Sequence, residues 1–472
     1  MSIRKNSVIN FFGTSVPLLL TLITLPWYIK EIGEDRFAVV SIAWIILGYF
    51  GFFDLGLGQA TASEVAKSGG KDSSKTREIY WTALIINGCF GLIGGGVAWV
   101  FGYVFFSGHF ATSYEIKTEI LGVLPWLAVA VPIATLSGVQ IGCLQGKERF
   151  WEISKISILG SFLSQVVPLI AAVCFSPTLS VVMPATVLCR VVIIVLLANA
   201  VRKDFPILNR PVFNRVLAQQ LLGFGGWVTI SGIISPILTT FDRFLIGAII
   251  GAKAVTHYTV SYNLASRVSI FPSSLSVALF PKLSGASMSD RKLYARNSIS
   301  ALIALMFPLL AFGIFNFQTF LRLWMGPDFA AKSGGVGELV LLGMLFNSLA
   351  RIPYVSLQAS GRPDVVAKCH LLEVIPYCVI LYFATKQFGI VGAAAAWTLR
   401  SGIDALLLFR LHGIERDTFI AIFSAFAVLL GVMLYAVIGP EISGIGRILL
   451  NAIFLPPMVF WGFKVIKKIK SP

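Results

Sequence analysis

Residues 223–267 read GFGGWVTISGIISPILTTFDRFLIGAIIGAKAVTHYTVSYNLASR. The stretch is apolar throughout, yet Asp242 and Arg243 stand side by side within it. Its layout repeats one near the N-terminus, FFGTSVPLLLTLITLPWYIKEIGEDRFAVVSIAWIILGYF (11–50). Pro17 aligns with Pro236 and Gly33 with Gly251, at offsets of 219 and 218 residues. A pattern that restarts half-way along an apolar chain indicates a duplicated membrane protein, and the seam between the copies is the place to seek function.

Working outward, the same apolar character fills the whole chain. The 472 residues are 56% hydrophobic and 13% charged, with a mean hydropathy of +0.83. A soluble domain carries about 25% charged residues. A helix spanning a bilayer core needs about 20 apolar residues. Continuous runs such as VVIIVLLANAV (191–201) exclude the alternating segments of a membrane β-barrel. The expected fold class is therefore all-α and polytopic. The apolar run after MSIRKNSV has no following cleavage pattern, so it reads as a retained first span. Cys89, Cys143, Cys174, Cys189, Cys369 and Cys378 lie in or beside apolar segments without metal-ligand spacing. They read as packing residues; neither a metal nor a cofactor is expected.

About fourteen spans can be drawn: six near 8–29, 37–59, 79–106, 119–144, 151–175 and 178–200, and six near 218–250, 254–280, 297–320, 335–358, 365–385 and 389–409. Two more follow near 418–438 and 447–464. This divides the chain into an N-terminal lobe (1–205), a C-terminal lobe (206–413) and two added helices with a basic tail (414–472). With the N-terminus inside, inward segments carry 23 of the 38 Lys and Arg, outward segments 8, and the spans 7. This bias places both termini in the cytoplasm. It also makes much of the +16 net charge an orientation signal, and nucleic acid is not an expected partner.

The duplication continues. LQGKERF (144–150) is answered by LQASGRP (357–363), and MPATVLCR (183–190) by AAAWTLR (394–400), which sets Arg190 against Arg400. Two six-span copies have parallel topology, with a pseudo-twofold axis along the membrane normal and a cleft between them. GFFDLGLGQATASEVAK (51–67), TTFDRFLIGAIIGAKAVTHYTVSYNLASR (239–267) and the two LQ turns resemble the signatures of polysaccharide and oligosaccharide flippases. The resemblance is to the multidrug/oligosaccharidyl-lipid/polysaccharide exporter superfamily, within it the Wzx-type O-antigen flippase branch. It implies two pseudo-symmetric six-helix lobes around a V-shaped cavity, with two added helices. One departure is Phe37-Ala38, where the family has Tyr-Gly.

Ionisable residues at mid-span are costly and are kept for pairing or for a pathway. Arg190, Arg243, Arg267, Arg351 and Arg400 are candidate substrate-binding residues. Arg190 would face the cleft or a partner helix. Arg400 has Asp404 four residues on, so an ion pair competes with a ligand role. Lys155 has Glu152 three residues back, and pairing or snorkelling suits it. Arg267 is the strongest single candidate. Arg351 could bind or snorkel. Asp242 and Arg243 point about 100° apart on a helix and are not expected to pair with each other. Asp54, Asp242, Glu373 and His370 are candidates for gating or ion coupling. Asp54 also reads as a helix-end residue, and Glu373 with His370 one turn back as a proton relay or a structural hydrogen bond. Tyr258, Tyr262, Trp227 and Tyr354 could stack on sugar rings or serve as interfacial anchors.

The arginines at mid-span favour an anion, and the Arg fork matches phosphate oxygens. The expected cargo is an undecaprenyl-pyrophosphate-linked oligosaccharide, flipped across the bacterial inner membrane by alternating access for O-antigen or other surface polysaccharide assembly. Membrane lipids and other polysaccharide-assembly proteins are the expected partners. No Walker A motif is present, so an ion gradient or the substrate gradient would drive the step. The alternative in the same fold is a multidrug or small-molecule cation antiporter, which would want acids inside. A membrane glycosyltransferase or glycan polymerase needs a sizeable extramembrane segment, and the longest outward loop is 321–335.

Overall fold

The computed structural model describes residues 3–48, 56–67, 73–204, 211–413, 416–438 and 456–457. Among them are thirteen α-helices and no strands. They are α1 (Ile3–Gly48), α2 (Leu57–Lys67), α3 (Ser73–Val104), α4 (Tyr114–Gly146), α5 (Phe150–Cys174), α6 (Leu179–Asp204), α7 (Arg215–Ile249), α8 (Ala252–Ser266), α9 (Ile270–Ser284), α10 (Met288–Met325), α11 (Pro327–Ala359), α12 (Pro363–His412) and α13 (Arg416–Ile438). Eight of the described helices are long and apolar enough to cross a membrane. In lipid every backbone polar group must be satisfied within the segment, so long apolar runs become helices. The chain is a multi-pass membrane protein.

Spans and helices do not map one to one. Gly33 (φ 79°, ψ 161°) interrupts α1 between the first and second expected spans. Gly389 (φ 63°, ψ −145°) interrupts α12 between the eleventh and twelfth. Only glycine adopts such angles without strain, and each break lets the chain change direction. The eighth expected span is two helices, α8 and α9, joined by a 3₁₀ turn at Arg267–Ser269. Asp54 lies outside the described residues, as does the last expected span apart from 456–457.

The chain forms two compact units: Met1–Thr240 with Gly251–Thr256, and Phe241–Ile250 with His257–Pro472. In the first, α2, α3, α4 and α6 share a core that includes Leu57, Val65, Ile79, Val139 and Leu197. Close approach of α2 and α4 requires Gly142, where a Cβ would fall on the Gly58 carbonyl. Thr21, Thr24 and Gln165 tie α1 to α5 through two side-chain hydrogen bonds of 2.7 and 2.8 Å. Arg36 makes a forked ion pair with Glu119 (2.6 and 2.9 Å), whose Oε2 also accepts the Leu179 amide. In the second unit α11 is the central helix, buried along most of its length between α10 and α12.

The two LQ turns have one geometry. Leu144 O accepts Arg149 N and Gln145 O accepts Glu148 N, both at 2.9 Å; Leu357 O accepts Arg362 N and Gln358 O accepts Gly361 N, both at 3.0 Å. Every atom pair is displaced by 213 residues. The left-handed position is Glu148 (φ 58°) in one turn and Gly361 (φ 74°) in the other.

Candidate functional site

The second unit contains a buried polar cluster. Its sequence origin is two stripes on α12, His370-Glu373-Tyr377 before the Gly389 break and Trp397-Arg400-Asp404 after it. Spacings of three and four residues put each set on one helix face. Folding back at Gly389 brings the stripes together. Arg400 Nη1 lies 3.4 Å from Glu373 Oε2, and His370 Nε2 lies 3.6 Å from Asp404 Oδ1. The Glu373 and Asp404 carboxyls are also within hydrogen-bonding reach of each other. The Arg400 guanidinium sits 5.5 Å above the Tyr377 ring.

From α7 comes a second pair, met by tyrosines of α8. Asp242 and Arg243 are 0% and 2% exposed, and Arg243 Nη1 lies 2.6 Å from Asp242 Oδ1. Adjacent residues were expected to diverge and not to pair. The long Arg stem instead bends back on its neighbour, because two opposite charges sealed from water gain far more from each other than from geometry alone. The other carboxylate oxygen accepts the Tyr258 hydroxyl. The guanidinium lies 4.0 Å from the Tyr262 ring centre and 5.3 Å from that of Tyr258. Tyr262 in turn meets Trp397 edge-on at 5.3 Å.

Several expectations change accordingly. Arg400 pairs with Glu373, not with Asp404. His370 faces Asp404, not Glu373. Glu152 is taken by Arg149 at 2.7 Å, and Lys155 instead lies over the Trp151 ring at 4.8 Å. Tyr258 and Tyr262 are buried and engaged with Arg243, so neither is an open platform for a sugar. Tyr354 stacks on His370 and receives a hydrogen bond from Gln358. The Trp227 side chain lies outside the described residues. Tyr377 and Trp397 were missed, although each continues a helical stripe of charged residues.

Three arginines are different. In the first unit Arg190 is half-buried on α6, its Nε without an acceptor, and no carboxylate pairs with it among the described residues. The repeat expected from the sequence offers no acid here. The counterpart of Glu373 at offsets of 210 to 213 falls within Gly160–Leu163, where there is no acid. In the second unit Arg267, on the 3₁₀ turn, and Arg351, on α11, are exposed and have no carboxylate partner among the described residues. Among the described residues no group of three or more His, Cys, Asp or Glu side chains is arranged to hold a metal ion.

The model for the polysaccharide biosynthesis protein family matches residues 3–287, more than half of the chain. The chain belongs to that family. Consistent with this membership, it is 31% identical over 418 residues to the Shigella flexneri protein named "Putative O-antigen transporter", covering 86% of this chain and 97% of that one. It is 23% identical over 295 residues to the Haloferax volcanii protein named "Probable low-salt glycan biosynthesis flippase Agl15", covering 60% and 59%. Among solved structures the lipid II flippase MurJ matches with a TM-score of 0.73 at 14% identity, over 99% of this chain and 98% of that one. An inward-facing multidrug MATE transporter matches with 0.66 at 16% identity, over 89% and 99%. These structural likenesses establish that the family member described here has a MurJ- and MATE-like transporter fold.

Proposed function

We propose that this chain is a flippase that moves a lipid-linked oligosaccharide, carried on undecaprenyl pyrophosphate, across the bacterial inner membrane by alternating access, for O-antigen or related surface polysaccharide assembly. It acts as a transporter and not as an enzyme. Both termini are cytoplasmic, and the repeat units span 1–205 and 206–413, followed by an added pair of helices. Family membership and the transporter and flippase names of its relatives support the cargo class.

The observation that carries the reading is the division among the arginines. Arg243 and Arg400 are neutralised by carboxylates, whereas Arg190, Arg267 and Arg351 have no carboxylate partner among the described residues. Uncompensated guanidinium groups in a membrane protein suit a pyrophosphate, which can accept two hydrogen bonds from each fork. Of the buried acids, Asp242 is taken by Arg243 and Glu373 by Arg400.

The test is complementation. In a host whose own O-antigen flippase is deleted, the wild-type chain should restore surface polysaccharide and clear the lipid-linked glycan that accumulates on the inner leaflet. Drug resistance without any change in surface glycan would instead favour the small-molecule antiporter.

A further inference from the structure

The Asp242–Arg243 pair balances its own charge. The cluster on α12 does not. Glu373 and Asp404 bring two carboxylates, Arg400 one permanent cation, and His370 a group that is neutral unless protonated. With both acids ionised and the imidazole neutral, the cluster is one negative charge in excess. Glu373, Arg400 and Asp404 are 6%, 7% and 7% exposed, and an uncompensated charge so deeply buried is strongly disfavoured. One proton restores neutrality.

The polar atoms point the same way. Glu373 Oε1 and Asp404 Oδ1 are buried carboxylate oxygens to which no donor hydrogen-bonds, although the two carboxyls adjoin each other. Two adjoining carboxylates repel; a proton on one of them lets it donate to the other. Arg400 Nε, the Tyr377 hydroxyl and the Ser401 hydroxyl are also buried without a partner beside this pair or one turn from it. The groups facing the pair along α12 are Cys369, His370, Tyr377 and Arg400; Tyr354 reaches His370 from α11. Beyond Tyr377 lies the self-balanced Asp242–Arg243 pair of α7. Among the described residues no second permanent cation pairs with Glu373 or Asp404.

We propose that Glu373 and Asp404 hold one exchangeable proton, that His370 passes it in and out, and that movement of cargo is coupled to this exchange. His370 suits the transfer because its side chain is 23% exposed against 5% for Glu373, so it is the open edge of the cluster. A proton on the imidazole makes an ion pair with Asp404; the same proton on the carboxyl pair leaves the imidazole neutral. Either position balances Arg400, so the proton can shift without creating a net buried charge. Only an O–H or N–H bond forms or breaks, and water is the outer donor and acceptor. The coupling half of this proposal rests on the flippase reading; the proton site does not.

The full chain in liposomes, titrated with acid and alkali and followed by infrared difference spectroscopy, tests the site. Above the pH range in which ordinary exposed carboxylates titrate (about 4), one protonated-carboxyl band should appear on acidification in the wild type and be lost in Glu373→Gln and in Asp404→Asn. A wild type with no such band, or a band that survives in the double variant, overturns the proton site. Coupling is read from surface-glycan export with and without a protonophore. Wild-type export should fall several-fold on adding it, and export by Glu373→Gln should be unchanged by it; a wild type indifferent to the protonophore overturns coupling. If the wild-type chain restores no glycan at all, the flippase reading and the coupling with it are overturned, and the infrared band decides the proton site alone.

Discussion

Asp242 Oδ1 accepts both the backbone amide of Arg243 (2.9 Å) and its Nη1 (2.6 Å), so a single carboxylate oxygen folds the guanidinium of the next residue back onto the helix. With Tyr258 on the other oxygen, both faces of the carboxylate are occupied. Removing one partner of a sealed ion pair costs about 3–5 kcal/mol, much of it the penalty on the charge left behind. Asp242→Asn should lower thermal stability of the purified protein by that order, and Asp242→Asn with Arg243→Gln should recover most of the loss. A single variant as stable as the double would refute the pairing as a structural element.

The arginines without carboxylate partners should behave differently. On the proposed function, Arg190→Ala and Arg267→Ala would each remove a charged donor to the cargo, worth about 1.5–3 kcal/mol. Glycan export should drop on the order of tenfold to a hundredfold, with normal amounts of protein in the membrane by immunoblot. Lys at either position should restore only part of the activity, because an ammonium lacks the planar fork. Normal export by both Ala variants would show that these residues do not hold the headgroup.

The left-handed residue of the two LQ turns gives a paired test. Glu148 takes φ 58° where the matching turn has Gly361 at 74°. A non-glycine residue in this region costs about 1–2 kcal/mol. Glu148→Gly should raise stability slightly, by about 0.5–1 kcal/mol after the entropy cost of glycine. Gly361→Ala should lower it by about 1–2 kcal/mol. Opposite signs in the two melting curves are the expected result.

Packing of α11 on α12 depends on Gly343. A Cβ there would lie 2.8 Å from Trp397 Cζ3 and 3.0 Å from the Thr398 Cα, the second of which cannot move aside. Gly343→Val should destabilise by about 1–3 kcal/mol, as overpacking does. Because Trp397 also contacts Tyr262, the loss should be accompanied by altered tryptophan fluorescence of the folded protein.

Much of this was legible in the residues. Apolar runs marked the helices, and the LQ repeat marked turns with a common hydrogen-bond pattern. What could not be read was the choice of ionic partners. Helical spacing nominates neighbours on the same segment, Arg400 with Asp404 and Glu373 with His370. Once the halves of α12 lie together, acids and bases from opposite stripes come within reach, and the partners exchange. Spacing likewise argued against Asp242 with Arg243, since it fixes where Cβ points and not how far a flexible side chain can curl. Arg190, by contrast, has no acid within a helical turn in the sequence and no carboxylate partner among the described residues.

Gly389 makes the cluster a matter of register. The two stripes meet only because the number of residues between Tyr377 and Trp397 brings their faces round to each other. One residue added after Gly389 would turn the second stripe by about 100°. Arg400 and Asp404 would then leave Glu373 and His370 together, with no change to any side chain of the cluster. Length variation in this short interval is therefore expected to be far less tolerated than substitution of the alanines that fill it.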